Sequence, residues 1–259
     1  MERFKNWCLT IVIVVAVAGL SFSALRLMDS HNQYRKGEDT YQEIADDFVK
    51  KEPKETPEVD AKKNDGASQG YQFLQIDFKG LKALNPEVIA WIDIPGAKIS
   101  YPVLQGGDNS YYLSHLSDGT EGIHGSIFMD YHNQPDFSDR NTILYGHNMK
   151  DGTMFAALDA YAQESVCREY PFFYIYTPEH AIVYEIYACY TGWVESAAYS
   201  YQFPAEETFL EFLQETSRSS LYDAKGIPDD SSRIVTLSTC TNISRQQRFI
   251  IHGMRRESK

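Results

Sequence analysis

Apolar residues fall along this chain in two patterns. Near the start they are continuous: Trp7 to Leu25 (WCLTIVIVVAVAGLSFSAL) is nineteen residues without a charge. A helix of that length spans about 29 Å, close to the hydrocarbon thickness of a bilayer. From Tyr71 onward the pattern becomes short runs rich in Val, Ile, Tyr and Phe, bounded by Gly, Pro, Asn or Asp: VIAWIDI, ISYPVLQ, GSIFMD, NTILYGH, FFYIYT, AIVYEIYACYTGW, RIVTLSTC and RFIIHGM. Such runs predict β-strands. Two stretches between them predict helices, a short one at 152–161 (GTMFAALDAY) and a longer one at 205–217 (AEETFLEFLQETS). The second places Phe209, Phe212 and Leu213 on one face and its acids early, where the helix dipole favours them. Many short strands with few helices predict a closed barrel or a sandwich.

The segment between the two patterns is polar. Tyr41, Ile44 and Phe48 recur at near-helical spacing and predict a helix over roughly 33–50. The following KKEPKETPEVDAKKNDGASQG has two prolines, many charges and no aromatic residue. It has too little apolar surface to offset the entropy of ordering, so a flexible spacer is expected. The chain therefore divides into a cytoplasmic tip and transmembrane signal-anchor (1–28), a polar helix and linker (29–70), and a folded domain (71–259). Arg3 and Lys5 precede the apolar segment, which places the N-terminus in the cytoplasm and the folded domain outside. The rival reading is a cleaved signal peptide with Ser21-Phe22-Ser23 as its small-x-small site; the apolar region of such a peptide is ordinarily shorter, about 7–15 residues.

Composition narrows the classes. The 259 residues are 43% hydrophobic, which excludes a mostly disordered chain and a polytopic membrane protein. The formal charge is −12, and the only net-basic part is the tip and anchor. An exterior this acidic has no footprint for nucleic acid and is repelled by anionic lipid and phosphate-rich polymers. Four cysteines are too few for a disulfide scaffold and lack CxxC spacing, and no histidine pair has HExxH spacing. Cys167 and Cys189 could pair outside the cell or remain two free thiols. No cofactor and no metal site is expected.

Three segments carry candidate chemistry. In RIVTLSTC, alternation puts Ile234, Thr236, Ser238 and Cys240 on one face and Val235, Leu237 and Thr239 on the other. Cys240 thus ends a strand beside a loop. A thiol with pKa about 8.5 needs a partner to act as a nucleophile; the alternative is a small buried hydrophobe. A hairpin of this strand with RFIIHGM brings Arg248 close to Cys240, where it could hold an oxyanion; Arg245, inside the loop, is the rival. His147 follows a strand and a glycine in NTILYGHNM.

Together these segments resemble the sortases, membrane-anchored cysteine transpeptidases of Gram-positive bacteria. TLSTC at 236–240 matches the family's TLxTC motif, Arg248 its strand-borne arginine, and His147 in YGH its histidine, in the family's order. The likeness extends over roughly 71–255, including SYPVLQG, GSIFMDY and TMFAALDAY. It is greatest to class B, which has N-terminal helices and an extra helix before the cysteine strand, here 205–217. The resemblance implies an eight-stranded β-barrel and a two-step reaction. Cys240 attacks the carbonyl of a Thr in a C-terminal sorting signal and forms a thioester, which an amine from a peptidoglycan precursor or a pilin lysine resolves. It implies His147 as acid and base, and Arg248 with the backbone N–H of Thr241 as oxyanion donors. Asn109, Leu113, Tyr199 and Ser238 are implied as groove residues. The partners implied are surface proteins bearing sorting signals, the amine acceptor and the membrane.

The alternatives are a pilin-polymerising sortase and a non-catalytic, membrane-tethered binding module on the same barrel. Ile123-His124-Gly125-Ser126 has a superficial likeness to the L,D-transpeptidases, but their Ser-His-Gly-Cys-type segment is missing. Papain-like peptidases place Cys before His, the reverse of the order here.

Overall fold

Short β-rich runs give strands here because their β-branched and aromatic side chains suit a pleated surface buried on one or both faces. A computed structural model describes residues 2–50, 71–224, 226–241, 244 and 246–256, with the side chains of 2–5 and 8–12 left aside. The spacer expected at 51–70 and the candidate Arg245 lie outside the described residues. Val49–Lys50 (β1) and Gln75–Ile76 (β2) pair as a two-residue antiparallel ladder. The predicted runs then follow as Val88–Ile94 (β3), Ile99–Leu104 (β4), Ile127–Met129 (β5), Asn141–Gly146 (β6), Phe172–Tyr176 (β7), Ala181–Trp193 (β8), Ile234–Cys240 (β9) and Gln247–Arg255 (β10). These eight strands close into a barrel in the order β10-β8-β7-β3-β4-β5-β6-β9. Neighbours run antiparallel except β4 with β5 and β6 with β9, which are parallel.

The helices are Glu2–Phe48 (α1), Phe78–Leu84 (α2), Glu164–Glu169 (α3) and Glu206–Ser219 (α4). α4 is the helix expected before the cysteine strand. Two helical expectations change. The apolar segment and the helix expected at 33–50 are one continuous helix, since no Pro or Gly lies between Gly19 and Gly37 to break it. Its last turns are not a free stalk, because Tyr41 and Ile44 are buried against the barrel. At 152–161 the chain instead makes a turn through Gly152 (φ +83°) and Met154 (φ +55°), then a 3-10 helix over Ala156–Ala162. Left-handed residues at 152 and 154 cannot belong to a right-handed helix. Upstream, α1 presents apolar side chains such as Val14, Val17, Leu20 and Leu25 to the outside, and it is long and apolar enough to cross a membrane.

Burial forms three layers. Ile92, Val103, Leu144, Phe173, Val235 and Leu237 belong to the barrel interior. Trp91, Tyr112, Phe128 and Tyr174 pack outside it with Ile44 and Leu81, from α1 and α2. On the other flank Phe209, Phe212 and Leu213 of α4 cover Tyr187, Tyr190, Ile234 and Ile250. β8 is buried along nearly its whole length because it lies between the barrel core and α4, which explains its continuous apolar run.

A polar chain crosses that last layer. His252, wholly buried, meets Thr236 Oγ1 through Nδ1 (2.8 Å) and Tyr190 OH through Nε2 (2.9 Å). Thr236 Oγ1 donates to Asn141 Oδ1 (2.7 Å), and Asn141 Nδ2 donates to the carbonyls of Ala198 (3.1 Å) and Ser200 (2.8 Å). A buried chain is stable only while each member keeps its partner, so these bonds tie the 198–200 turn to β6, β9 and β10. Desolvation pulls the His252 pKa from 6.5 down to about 3. Between those values the unfolded chain binds a proton that the folded one refuses, so stability falls as pH drops. Parent protein is expected to lose up to roughly 1.4 kcal/mol per pH unit more than His252→Gln across this window, measured by urea unfolding at stepped pH.

Candidate active site

The strand order itself assembles the site. β9 lies between β6 and β10. Along the β9–β10 hairpin Cys240 is the direct partner of Arg248. Along the parallel β6–β9 ladder Gly146 is level with Thr239, so His147 leaves β6 at the height of Cys240. His147, from a distant part of the sequence, thus joins the Cys240–Arg248 hairpin at one barrel end, with the thiol in the middle strand. Cys240 is exposed, whereas Cys167 and Cys189 are buried and free.

Neighbouring groups hold the histidine. His147 Nε2 lies 2.6 Å from the Leu113 carbonyl. A carbonyl only accepts, so Nε2 carries the hydrogen, and in the neutral ring Nδ1 is the basic nitrogen. Leu113, implied as a groove residue, therefore also sets the histidine tautomer through its backbone. The next residue ties the two segments together, with Asn148 Nδ2 donating to the Cys240 carbonyl (2.7 Å). Arg248 is half-buried, and its Nη1 donates to the Gln247 carbonyl (2.9 Å). The Thr241 N–H points at the same carbonyl across a long 3.4 Å.

A cleft of about 360 Å³ runs from these residues and is lined also by Asn109, Leu113, Tyr199 and Ser238. Thr241 does not line it. Tyr199 OH and Ser238 Oγ share a hydrogen bond (2.8 Å). Burial raises the Tyr199 phenol despite the Ser238 bond and the Arg248 charge, so Tyr199 stays protonated at neutral pH.

Reading the sequence missed the floor of this cleft. Asp130, just after β5, accepts from Asn109 Nδ2 (2.8 Å), Tyr145 OH (2.8 Å), and both the backbone and Nδ1 of His132 (3.0 and 2.8 Å). Burial pushes the Asp130 carboxyl up, but the bonds from His132, Tyr145 and Asn109 outweigh it and leave the group below its ordinary value. Burial, then the Asp130 charge, raises the Tyr145 phenol. The His132 ring stacks on Tyr201, with centroids 4.6 Å apart. Asp130 and His132 are two residues apart in the chain, which was a usable signal; the link to Asn109 and Tyr145 exists only after folding.

Comparison with known proteins agrees with this arrangement. The sortase domain model matches residues 92–256. The chain belongs to the sortase family. Among its relatives is sortase B of Listeria monocytogenes, 37% identical over 164 residues, covering 63% of this chain and 67% of the relative. The crystal structure of sortase B from B. anthracis superposes with a TM-score of 0.73 at 29% identity, over 88% of this chain and 99% of that one. The Staphylococcus aureus sortase B–substrate complex superposes with a TM-score of 0.66 at 29% identity, over 70% and 85%. The eight-stranded barrel with its N-terminal helix is the fold of those structures, and this sortase is a class B-like cysteine transpeptidase.

Two outcomes check this geometry. A thiosulfonate added to the folded sortase should modify Cys240 and leave Cys167 and Cys189 untouched until the chain unfolds, as read by peptide mass mapping; burial raises both of their thiols, Cys189 to about 12. Asp130→Ala should raise KM for a peptide substrate about tenfold and change kcat far less, since it frees groove side chains while leaving the thiol end in place.

Proposed function

We propose that this sortase is tethered by the N-terminal part of α1 with its barrel outside the cell, and that it cleaves the C-terminal sorting signal of surface proteins after Thr. The acyl group is held as a Cys240 thioester and passed to a cell-wall amine. The observation that carries this reading is the exposed Cys240, flanked by His147 just past the end of one neighbouring strand and by Arg248 on the other. The uncharged Trp7–Leu25 segment behind Arg3 and Lys5 supports the tether and its orientation. A substrate bound to the S. aureus sortase B supports a peptide groove in the matching barrel.

The mechanism follows from the roles these groups can fill. The Cys240 thiol passes its proton to His147 Nδ1, and the thiolate attacks the Thr carbonyl. Negative charge gathers on the carbonyl oxygen, where the Arg248 guanidinium neutralises it. The Thr241 N–H joins only by exchanging its distant Gln247 partner. As the C–N bond breaks, the imidazolium gives its proton to the leaving amine, and the thioester remains. An incoming amine loses a proton to the same nitrogen and attacks the thioester, and the thiolate departs. Asn109, Leu113, Tyr199 and Ser238 line the groove that holds the signal.

Incubating the full chain with sorting peptides and no amine should accumulate a Cys240 acyl adduct visible by mass spectrometry; Cys240→Ala should show no adduct and no cleavage. His147→Ala should lower kcat by about 10²–10⁴-fold. Arg248→Lys should lower kcat by about 10²-fold with a smaller change in KM, because a point charge lacks the guanidinium fork. A severe loss in Arg245→Ala with a mild one in Arg248→Lys would reassign the oxyanion donor.

A further inference from the structure

α1 reaches the candidate active site indirectly, through two loops that both touch His147. The first loop, 147–155, follows β6. It is closed by Phe155 N–H donating to the His147 carbonyl (3.0 Å) and by an antiparallel bridge between Asn148 and Met154. At its tip Asp151 Oδ1 accepts from the Thr153 N–H (3.0 Å) and hydroxyl (2.6 Å). The other oxygen, Oδ2, faces His124 Nε2 at 3.2 Å.

His124 is 1% exposed and sits under α1. Its Nδ1 has no hydrogen-bond partner among the described residues and lies directly against Gly37. A Cβ at Gly37 would be 2.1 Å from that nitrogen, so only glycine lets the helix settle there. Glycine inside a helix is destabilising relative to alanine, and here the contact accounts for its presence. Tyr34, one turn earlier, packs edge-on to the same imidazole, with centroids 5.5 Å apart.

The second loop, 110–126, supplies the Leu113 carbonyl that holds His147 Nε2. Gly125 (φ +55°) passes so close beneath it that a Cβ would lie 2.9 Å from that carbonyl oxygen. Tyr41 of α1 donates to the Gly125 carbonyl at 2.5 Å and lies within hydrogen-bond distance of Ser117 and Ser126. Lys36 adds a bond to the Glu121 carbonyl (2.8 Å). Tyr34, Gly37, Tyr41 and Ile44 are spaced by three and four residues, so a single face of α1 makes these contacts.

We propose that His124 and Tyr41 are positioning residues for His147: α1 seats on the 110–126 loop, which holds the imidazole through the Leu113 carbonyl and the 147–155 turn through His124. The helix that begins at the membrane is thereby part of the active-site scaffold. This rests on the acid–base role given to His147 above. Loosening the clamp misplaces the imidazole while leaving the thiol on its strand, so the loss is greatest where the leaving amine must take a proton.

The test compares two acyl donors of the same sorting sequence, in the full chain held in detergent micelles at pH 9. One is the amide peptide, whose leaving amine must be protonated. The other is a thioester, whose leaving thiolate needs no proton. Both are read as single-turnover acylation without amine, so that the base role of His147 toward an incoming amine does not enter, and at this pH hydroxide can take the thiol proton. His124→Phe and Tyr41→Phe should each lower the acylation rate on the amide about tenfold, and on the thioester no more than about twofold. Gly37→Ala, which leaves every hydrogen-bonding group in place, should act in the same direction. Equal losses on both donors, or unchanged amide turnover in all three variants, would overturn the clamp. His147→Ala separates the two ideas. If it fails to discriminate between amide and thioester, the acid–base role is wrong. If it discriminates and the clamp variants do not, only the clamp is wrong.

Discussion

The arrangement of this sortase depends on the pairing of β9 with two partners at once. Parallel β6 on one side and antiparallel β10 on the other fix the height of every residue along β9, including Cys240 at its end. Backbone hydrogen bonds set that height, so the three candidate groups reach one level before any side-chain contact between them forms. Barrel closure makes the pairing obligatory, because each strand has neighbours on both edges and cannot slip without breaking two ladders.

Side-chain layers then fix what the ladders leave loose. α4 and the chain from His252 to Asn141 hold the 198–200 turn, and with it Tyr199, over the cleft. Asp130 fixes the floor by gathering Asn109, Tyr145 and His132 on one carboxylate. α1 packs on the 110–126 loop, whose Leu113 carbonyl holds His147. Each device joins segments far apart in the chain, and each uses a buried polar group whose loss of partners is costly. The cleft is therefore rigid on several sides, while Cys240 itself is open to solvent.

The strands were legible from the sequence because each buries β-branched and aromatic side chains within a few residues, and β8 matched from Ala181 to Trp193. The approach of Arg248 to Cys240 was legible too, since a hairpin is a local object with a short loop. Helix ends were less so. The join between the apolar segment and the polar helix in α1 turns on the absence of a breaker, and the turn at Gly152 on the positive φ of Met154, which side-chain type does not announce. Asp130 escaped because its one local sign, His132 two residues on, is slight, and its partners Asn109 and Tyr145 arrive only on folding.

The sequence by itself determined the class of fold, the membrane-length apolar segment, and a thiol at a strand end opposite an arginine. Those features follow from periodicity, length and neighbours in the chain. Tertiary structure alone decided that His147 stands beside Cys240, that Leu113 holds its Nε2, and that α1 packs on the loop carrying Leu113 and His124. The reason is physical. A parallel pair such as β6–β9 is joined by a long crossover, and a hydrogen bond between distant side chains leaves no periodic trace, so neither has a local signature in the chain.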